Sequence, residues 1–205
     1  PGTPGVLIVK KQLLKNSVPA SPGGGTVLYV TPVDHQFITD HERREEGGTP
    51  AIVESIRAGL VFKLQQAVGT DLIERLEASF KERALRQWKT NRNIEVLGDS
   101  SQEGLSIFSL RIKHEGTDLH YGFVVALLND LFGIQARGGC SCAGPYGHEL
   151  LGMDLNYSRK LEKELNNGHM VMRPGWVRLN FNYFINEETF DYLLKAIEYV
   201  SVLGW

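Results

Sequence analysis

Two thiols stand one residue apart in the segment Arg137-Gly138-Gly139-Cys140-Ser141-Cys142-Ala143-Gly144-Pro145, behind an arginine at a strand end. A thiolate beside a guanidinium has a lowered pKa and is a better nucleophile, whereas two cysteines buried as small hydrophobes would be inert. Residues this close rarely meet disulfide geometry, so reduced thiols are expected. His148 follows nearby, but a structural zinc site needs four ligands and the other histidines supply none, so no metal is expected. A second arginine, Arg178, lies in Trp176-Val177-Arg178-Leu179-Asn180-Phe181-Asn182-Tyr183. Period-two alternation there puts Val177, Leu179, Phe181 and Tyr183 on a core face and Arg178 on the opposite one. Its planar fork suits a carboxylate substrate or, equally, an acidic surface partner. The third group is Glu45-Glu46-Gly47-Gly48-Thr49-Pro50, which sets two glycines and a hydroxyl before a helix. Such a loop binds phosphate through helix N-terminal amides, or is an ordinary turn capped by Thr49.

The elements around these residues read as an α/β layer structure. An apolar run at Val6 to Val9 and the TVLYV stretch suggest two strands around the Gly/Pro turn SVPASPGGGT, with a polar loop from Asp34 to Gly48. A long helix then starts at Thr49 and Pro50 and breaks at Gly69 and Thr70. Leu72, Leu76, Phe80, Ala84 and Trp88 recur every fourth residue as the buried stripe of a second helix ending near Asn91. Beyond it come strands at IEVLG, LSIFSLRIK, IQARG and WVRLNFNYF, and helices at LHYGFVVALLNDLFG, NYSRKLEKELNNG and EETFDYLLKAIEYV. The helix over 119–132 is apolar almost all round, which suggests a sandwiched position, with Gly133 as its left-handed cap. Asn186 caps the last helix. His35, His41, His114, His120 and His169 lack partner spacing and read as solvated or structural.

With 205 residues, 42% hydrophobic and a net charge of −2, the chain can build one large domain or two small ones. Basic residues are scattered, so no nucleic-acid partner is expected, and no apolar run is long enough for a membrane span. The start lacks a signal-peptide pattern, which leads to the expectation of a soluble, cytoplasmic protein.

Taken in order, these segments resemble the class V aminotransferase and cysteine desulfurase family over essentially the whole chain. PGTPGVLIVKK is similar to the strand after the family's His-Lys segment, SPGGGTV to its Gly-rich turn, and Glu46-Gly48-Thr49-Pro50 to the loop before its interdomain helix. ALLNDLFGIQARGGCSCA resembles the helix, strand and cysteine loop, and VRLNFNYFINEETFD the strand with the carboxylate-binding arginine. The resemblance implies a fold of three parts: residues 1–48 as the C-terminal remnant of the large pyridoxal-phosphate domain, 49–91 as interdomain helices, and 92–205 as an α/β small domain with a helix-covered sheet.

It also implies roles. Cys142 would accept sulfur as a persulfide, Arg178 would bind the α-carboxylate of a small amino acid, and Arg137 would stand near substrate and thiolate. Gly48 and Thr49 would reach the phosphate of pyridoxal 5'-phosphate in the other subunit of a homodimer, and a sulfur-acceptor protein is a further implied partner. Desulfurases carry histidines just before the cysteine, where this chain has Cys140 and Ser141; the Cys-x-Cys form resembles molybdenum-cofactor sulfurases. The family's Schiff-base lysine falls just upstream of PGTPG, so this chain is expected to be a fragment that binds no cofactor by itself and is inactive alone. The competing expectations are an aminotransferase or other lyase of the same fold, with Cys142 a bystander, and a non-catalytic dimerisation or partner-binding module.

Overall fold

A computed structural model describes residues 2–140 and 144–205, so Cys142 lies outside the described residues. The chain forms two compact units, residues 1–70 and 71–205.

The first unit holds a hairpin of β1 (Val27–Val30) and β2 (His35–Phe37), a short helix α1 (His41–Glu45) and the long helix α2 (Ile52–Val68). The segment from Asp34 to Gly48, expected to be polar loop, contains β2 and α1. Local side chains decide this: Thr31 Oγ1 accepts from the Asp34 amide at 2.8 Å to close the hairpin turn, and Asp40 accepts from the Glu42 and Arg43 amides to cap α1. The expected strand at Val6 to Val9 does not form; this run has no partner strand among the described residues, and a strand without a ladder leaves its amides unpaired. α2 begins at Ile52, three residues after the expected cap at Thr49, with Ala51 at the N-cap position and no side-chain cap. Pro50 and Ala51 stay outside the helix, and the Thr49 hydroxyl caps none of its first amides among the described residues. No residue of α2 is buried, and Ile56, Leu60 and Phe62 are each about 60% exposed.

The second unit is built on a sheet in the order β3 (Ile94–Val96), β4 (Ile107–His114), β7 (Trp176–Asn180), β6 (Arg137–Gly139), with β5 (Thr117–Asp118) paired to the end of β4. All of its pairings are antiparallel. α3 (Thr70–Trp88), α4 (Tyr121–Phe132) and α7 (Glu187–Leu203) cover one face, while α5 (Gly144–Leu150) and α6 (Leu155–Asn166) lie in the connection from β6 to β7. The core joins them through aromatic contacts. Phe80 of α3 stacks on Phe190 of α7 at 4.6 Å, Trp88 meets Phe108 of β4 edge-on at 5.0 Å, and Phe181 meets Phe190 at 4.9 Å. Each such pair adds roughly 0.5–1.5 kcal/mol to the burial of the rings.

The expected stripe on α3 is buried only in its second half. Phe80, Ala84 and Trp88 are enclosed, whereas Leu72 and Leu76 are each 37% exposed, because the sheet and α7 meet the helix only from Phe80 onward. α4 likewise is not sandwiched: Val124 and Leu128 are buried, but Phe123 and Leu131 face outward, since only one face of the helix meets the sheet. Gly133 does adopt the left-handed cap, with φ 66° and ψ 20°. Asn186 caps α7 by accepting from the Thr189 amide at 2.8 Å. Asn186→Ala is expected to lower stability by about 1 kcal/mol, measured as a shift of the urea midpoint at constant slope.

Candidate active site

The antiparallel register of β6 on β7 decides the geometry. Arg137 pairs directly with Arg178, and Arg178 pairs on its other side with Ser109 of β4. Directly opposed residues in antiparallel strands project to the same face, so the two guanidinium-bearing side chains leave the sheet side by side, with roughly 5 Å between their Cβ atoms. Opposed like charges destabilise a sheet unless an anion joins them. Among the described residues neither arginine takes part in an ion pair, and neither side chain makes a hydrogen bond.

The contrast lies further along the same face. Arg111 donates to Glu95 at 2.8 Å and to Asp118 at 3.1 Å, and Lys113 bonds the same Glu95 oxygen at 2.8 Å. Burial pushes the Glu95 carboxyl up, but donation from Lys113 and Arg111 outweighs it, and the group sits below its ordinary value of 4.5. A lowered folded value means that the unfolded chain binds the extra proton. The network therefore stabilises the fold above about pH 4.5 and loses that contribution as pH falls through the folded value. The melting temperature of the native protein is expected to fall more steeply on acidification than that of Glu95→Gln.

β6 delivers the cysteine segment: Gly139 pairs with Trp176, and Cys140 follows at once, half-buried and with a free thiol. Trp176 fills the same sheet face as Arg178, and the Gly147 backbone of α5 lies against its ring, with 3.5 Å from a Cβ built there to the indole edge. Cys142, two residues beyond Cys140, lies outside the described residues. An apolar crevice lined by Leu110, Ile112, Val124, Leu128, Val177 and Ile197 presents no polar group and belongs to the core. Among the described residues, no three His, Cys, Asp or Glu side chains gather as metal ligands.

In the first unit, Gly48 and Thr49 lie in a loop fastened to the Gly-rich turn. The Gly48 amide donates to Gly24 O at 2.9 Å, and a Cβ on Gly47 would come within 2.7 Å of Ser21 O. Glu45 secures the loop by accepting from the Ala20 amide at 3.0 Å and from Asn16, contacts that hold its carboxyl below the usual range. Buried Arg44 donates to Asn16 O at 2.5 Å. Gly48 has φ 88° and open space where a Cβ would stand, and the Thr49 side chain is exposed. The exposed Thr49 hydroxyl offers a phosphate one donor and bare Gly48 leaves room for its approach, while the Gly48 amide is given to Gly24 O. Neither the role of Glu45 and Arg44 nor the pairing of Arg137 with Arg178 is visible in residue spacing; the alternating pattern of β7 gave the facing of Arg178 alone.

The sequence pattern described as Aminotransferase class-V matches residues 2–192. The chain belongs to the class-V aminotransferase family. This family shares the pyridoxal-phosphate fold type I, of which the chain is a partial match. A probable cysteine desulfurase of Staphylococcus aureus (strain Mu50 / ATCC 700699) is 27% identical over 69% of the chain and 33% of its own length. A cysteine desulfurase of Shigella flexneri is 28% identical over the same shares. The chain thus spans about a third of the curated relatives it matches. Among solved structures, the apo cysteine desulfurase of Thermococcus onnurineus NA1 superposes with a TM-score of 0.70 at 24% identity, over 91% of this chain and 40% of that one. The Escherichia coli cysteine desulfurase CsdA gives 0.71 at 18% identity, over 95% and 41%. These likenesses establish the class-V aminotransferase α/β fold. Among the described residues, no helix is long and apolar enough to cross a membrane.

Proposed function

We propose that this chain carries the substrate-carboxylate and sulfur-acceptor half of a pyridoxal-phosphate-dependent cysteine desulfurase. The observation that carries the reading is the Arg137–Arg178 cross-strand pair, without acidic partners among the described residues and two residue pairs from the strand end that leads to the cysteines. Two parallel forks on a rigid sheet recognise a carboxylate with fixed orientation. Arg178, central in the sheet between Ser109 and Arg137, takes the α-carboxylate; Arg137, at the sheet edge, adds positive potential that favours a thiolate on Cys142.

Gly48 and Thr49 would hold the cofactor phosphate. The cofactor, when bound, withdraws electrons from the amino-acid carbon and so weakens the substrate's Cβ–Sγ bond. The Cys142 thiolate attacks Sγ; the S–S bond forms as the Cβ–Sγ bond breaks, and a proton added to the carbon left behind gives alanine. The product on the protein is a Cys142 persulfide, from which a thiol or a sulfur-acceptor protein takes the terminal sulfur. The bare apolar side chains of α2, with Leu28 and Tyr29 of β1 each more than 65% exposed, support assembly as a homodimer. The cysteine desulfurase relatives support the substrate.

The test is to supply L-cysteine, pyridoxal phosphate and a thiol to the full-length protein and to quantify sulfide and alanine. Equal amounts of both are expected. Transfer of the amino group to a 2-oxo acid without sulfide would instead assign an aminotransferase.

A further inference from the structure

The ring of Tyr121 occupies a slot that Gly138 and Gly175 leave open where the cysteine segment departs from the sheet. A Cβ on Gly138 would stand 2.7 Å from Tyr121 Cδ2, and one on Gly175 would stand 2.9 Å from Tyr121 Cδ1 and 2.6 Å from the Gly139 carbonyl carbon. Contacts that short do not occur, so both positions exclude any side chain while the ring stays in place. Gly139 adds a backbone φ of 126°, a conformation open to glycine and rarely to other residues. The ring therefore lies against β6 and the turn into β7 together, immediately before Cys140. His120, the N-cap residue of α4, accepts from the Gly122 amide at 3.1 Å and packs on Tyr121 at a ring separation of 4.3 Å, which locks the start of the helix that presents the ring. The phenol oxygen has no hydrogen-bond partner among the described residues, so the ring carries the contact.

The register places this contact on the far side of the sheet from the arginines. Gly138 pairs with Val177, whose side chain is in the core, whereas Arg137 and Arg178 pair one step along and project to the opposite face. We infer that Tyr121 is a positioning residue: by filling the slot between Gly138 and Gly175, its ring fixes the end of β6 up to Cys140, the point from which the cysteine segment leaves the sheet, and so supports the sulfur-transfer step. This inference rests on the reading of Cys142 as sulfur acceptor, and it adds a determinant of the turnover step that leaves carboxylate binding alone.

The experiment compares Tyr121→Phe, Tyr121→Ala and Gly138→Ala in the full-length protein. Tyr121→Phe keeps the ring and is expected to match the parent. Tyr121→Ala removes it, and Gly138→Ala displaces it; both are expected to lower kcat for sulfide release by about tenfold or more, with KM for cysteine within about twofold, since displacement of a reacting group by about 1 Å can cost a hundredfold. The rates at which iodoacetamide labels Cys140 and Cys142, read separately by peptide mass spectrometry, are expected to change in the same two variants and not in Tyr121→Phe. Unchanged kcat and labelling in a folded Gly138→Ala protein would overturn the inference, as would a rise in KM equal to the fall in kcat, or a Tyr121→Phe protein as impaired as Tyr121→Ala. Should the parent protein release no sulfide, the functional reading fails, and the labelling rates alone decide the positioning role.

Discussion

Arg178→Gln in the full-length protein is expected to lower kcat/KM for cysteine by about 30- to 1000-fold, with most of the loss in KM. The magnitude follows from the physics of a desolvated ion pair, where truncating one partner costs about 2–4 kcal/mol because the other charge is left unpaired. Arg178 is half-buried in the middle strand, between Ser109 and Arg137, so water replaces its fork poorly. Arg178→Lys keeps the charge without the two-pronged geometry and is expected to fall between the two. Arg137→Gln, at the exposed edge of the sheet, is expected to do less to KM and more to kcat if its part is to favour the thiolate. Steady-state kinetics with cysteine check all three. Equal losses from Arg178→Gln and Arg137→Gln in KM would mean that both arginines bind one carboxylate.

The second large effect is expected at Cys142. Cys142→Ala removes the thiolate that attacks Sγ, and sulfide release should fall by at least about a thousandfold while cysteine still binds. Cys140→Ala is the control. Cys140 leaves β6 directly and is half-buried, and its loss is expected to leave activity within about threefold, a change of roughly 0.6 kcal/mol. Sulfide assay after gel filtration, with the persulfide trapped by alkylation and located by mass spectrometry, checks both. Retained sulfide release in Cys142→Ala with loss in Cys140→Ala would transfer the acceptor role to the first thiol.

Much of the second unit was legible in the sequence because its signals are local. Gly133 ends α4 where only a residue tolerant of positive φ can turn the chain, and Asn186 caps α7 with its own side chain. The alternation around Arg178 gave the facing of β7 correctly for Val177 and Phe181, which are buried. The misreadings share a cause. Val6 to Val9 has strand composition and no ladder among the described residues, and Leu72 and Leu76 continue a helical stripe beyond the reach of the core. Periodicity states which face of an element is apolar; it does not state how far a neighbour extends over that face. Thr49 is a separate case: it carries a local capping signal, but the helix begins three residues later at Ile52, with Ala51 at the N-cap position and no side-chain cap.

By itself, then, the sequence determined the order of the main strands and helices of the second unit, the segment that bears Cys140 and Cys142, and the face of β7 on which Arg178 stands, since each is set by covalent neighbours and by the period of strand or helix. The tertiary structure alone decided that Arg137, 41 positions away along the chain, stands directly beside Arg178, and that the Tyr121 ring closes on Gly138 and Gly175. Those pairings depend on strand register, and register comes from the packing of one whole face against helices that are distant in sequence, where a one-residue slip of β6 or of β7 would turn that strand's arginine to the core side.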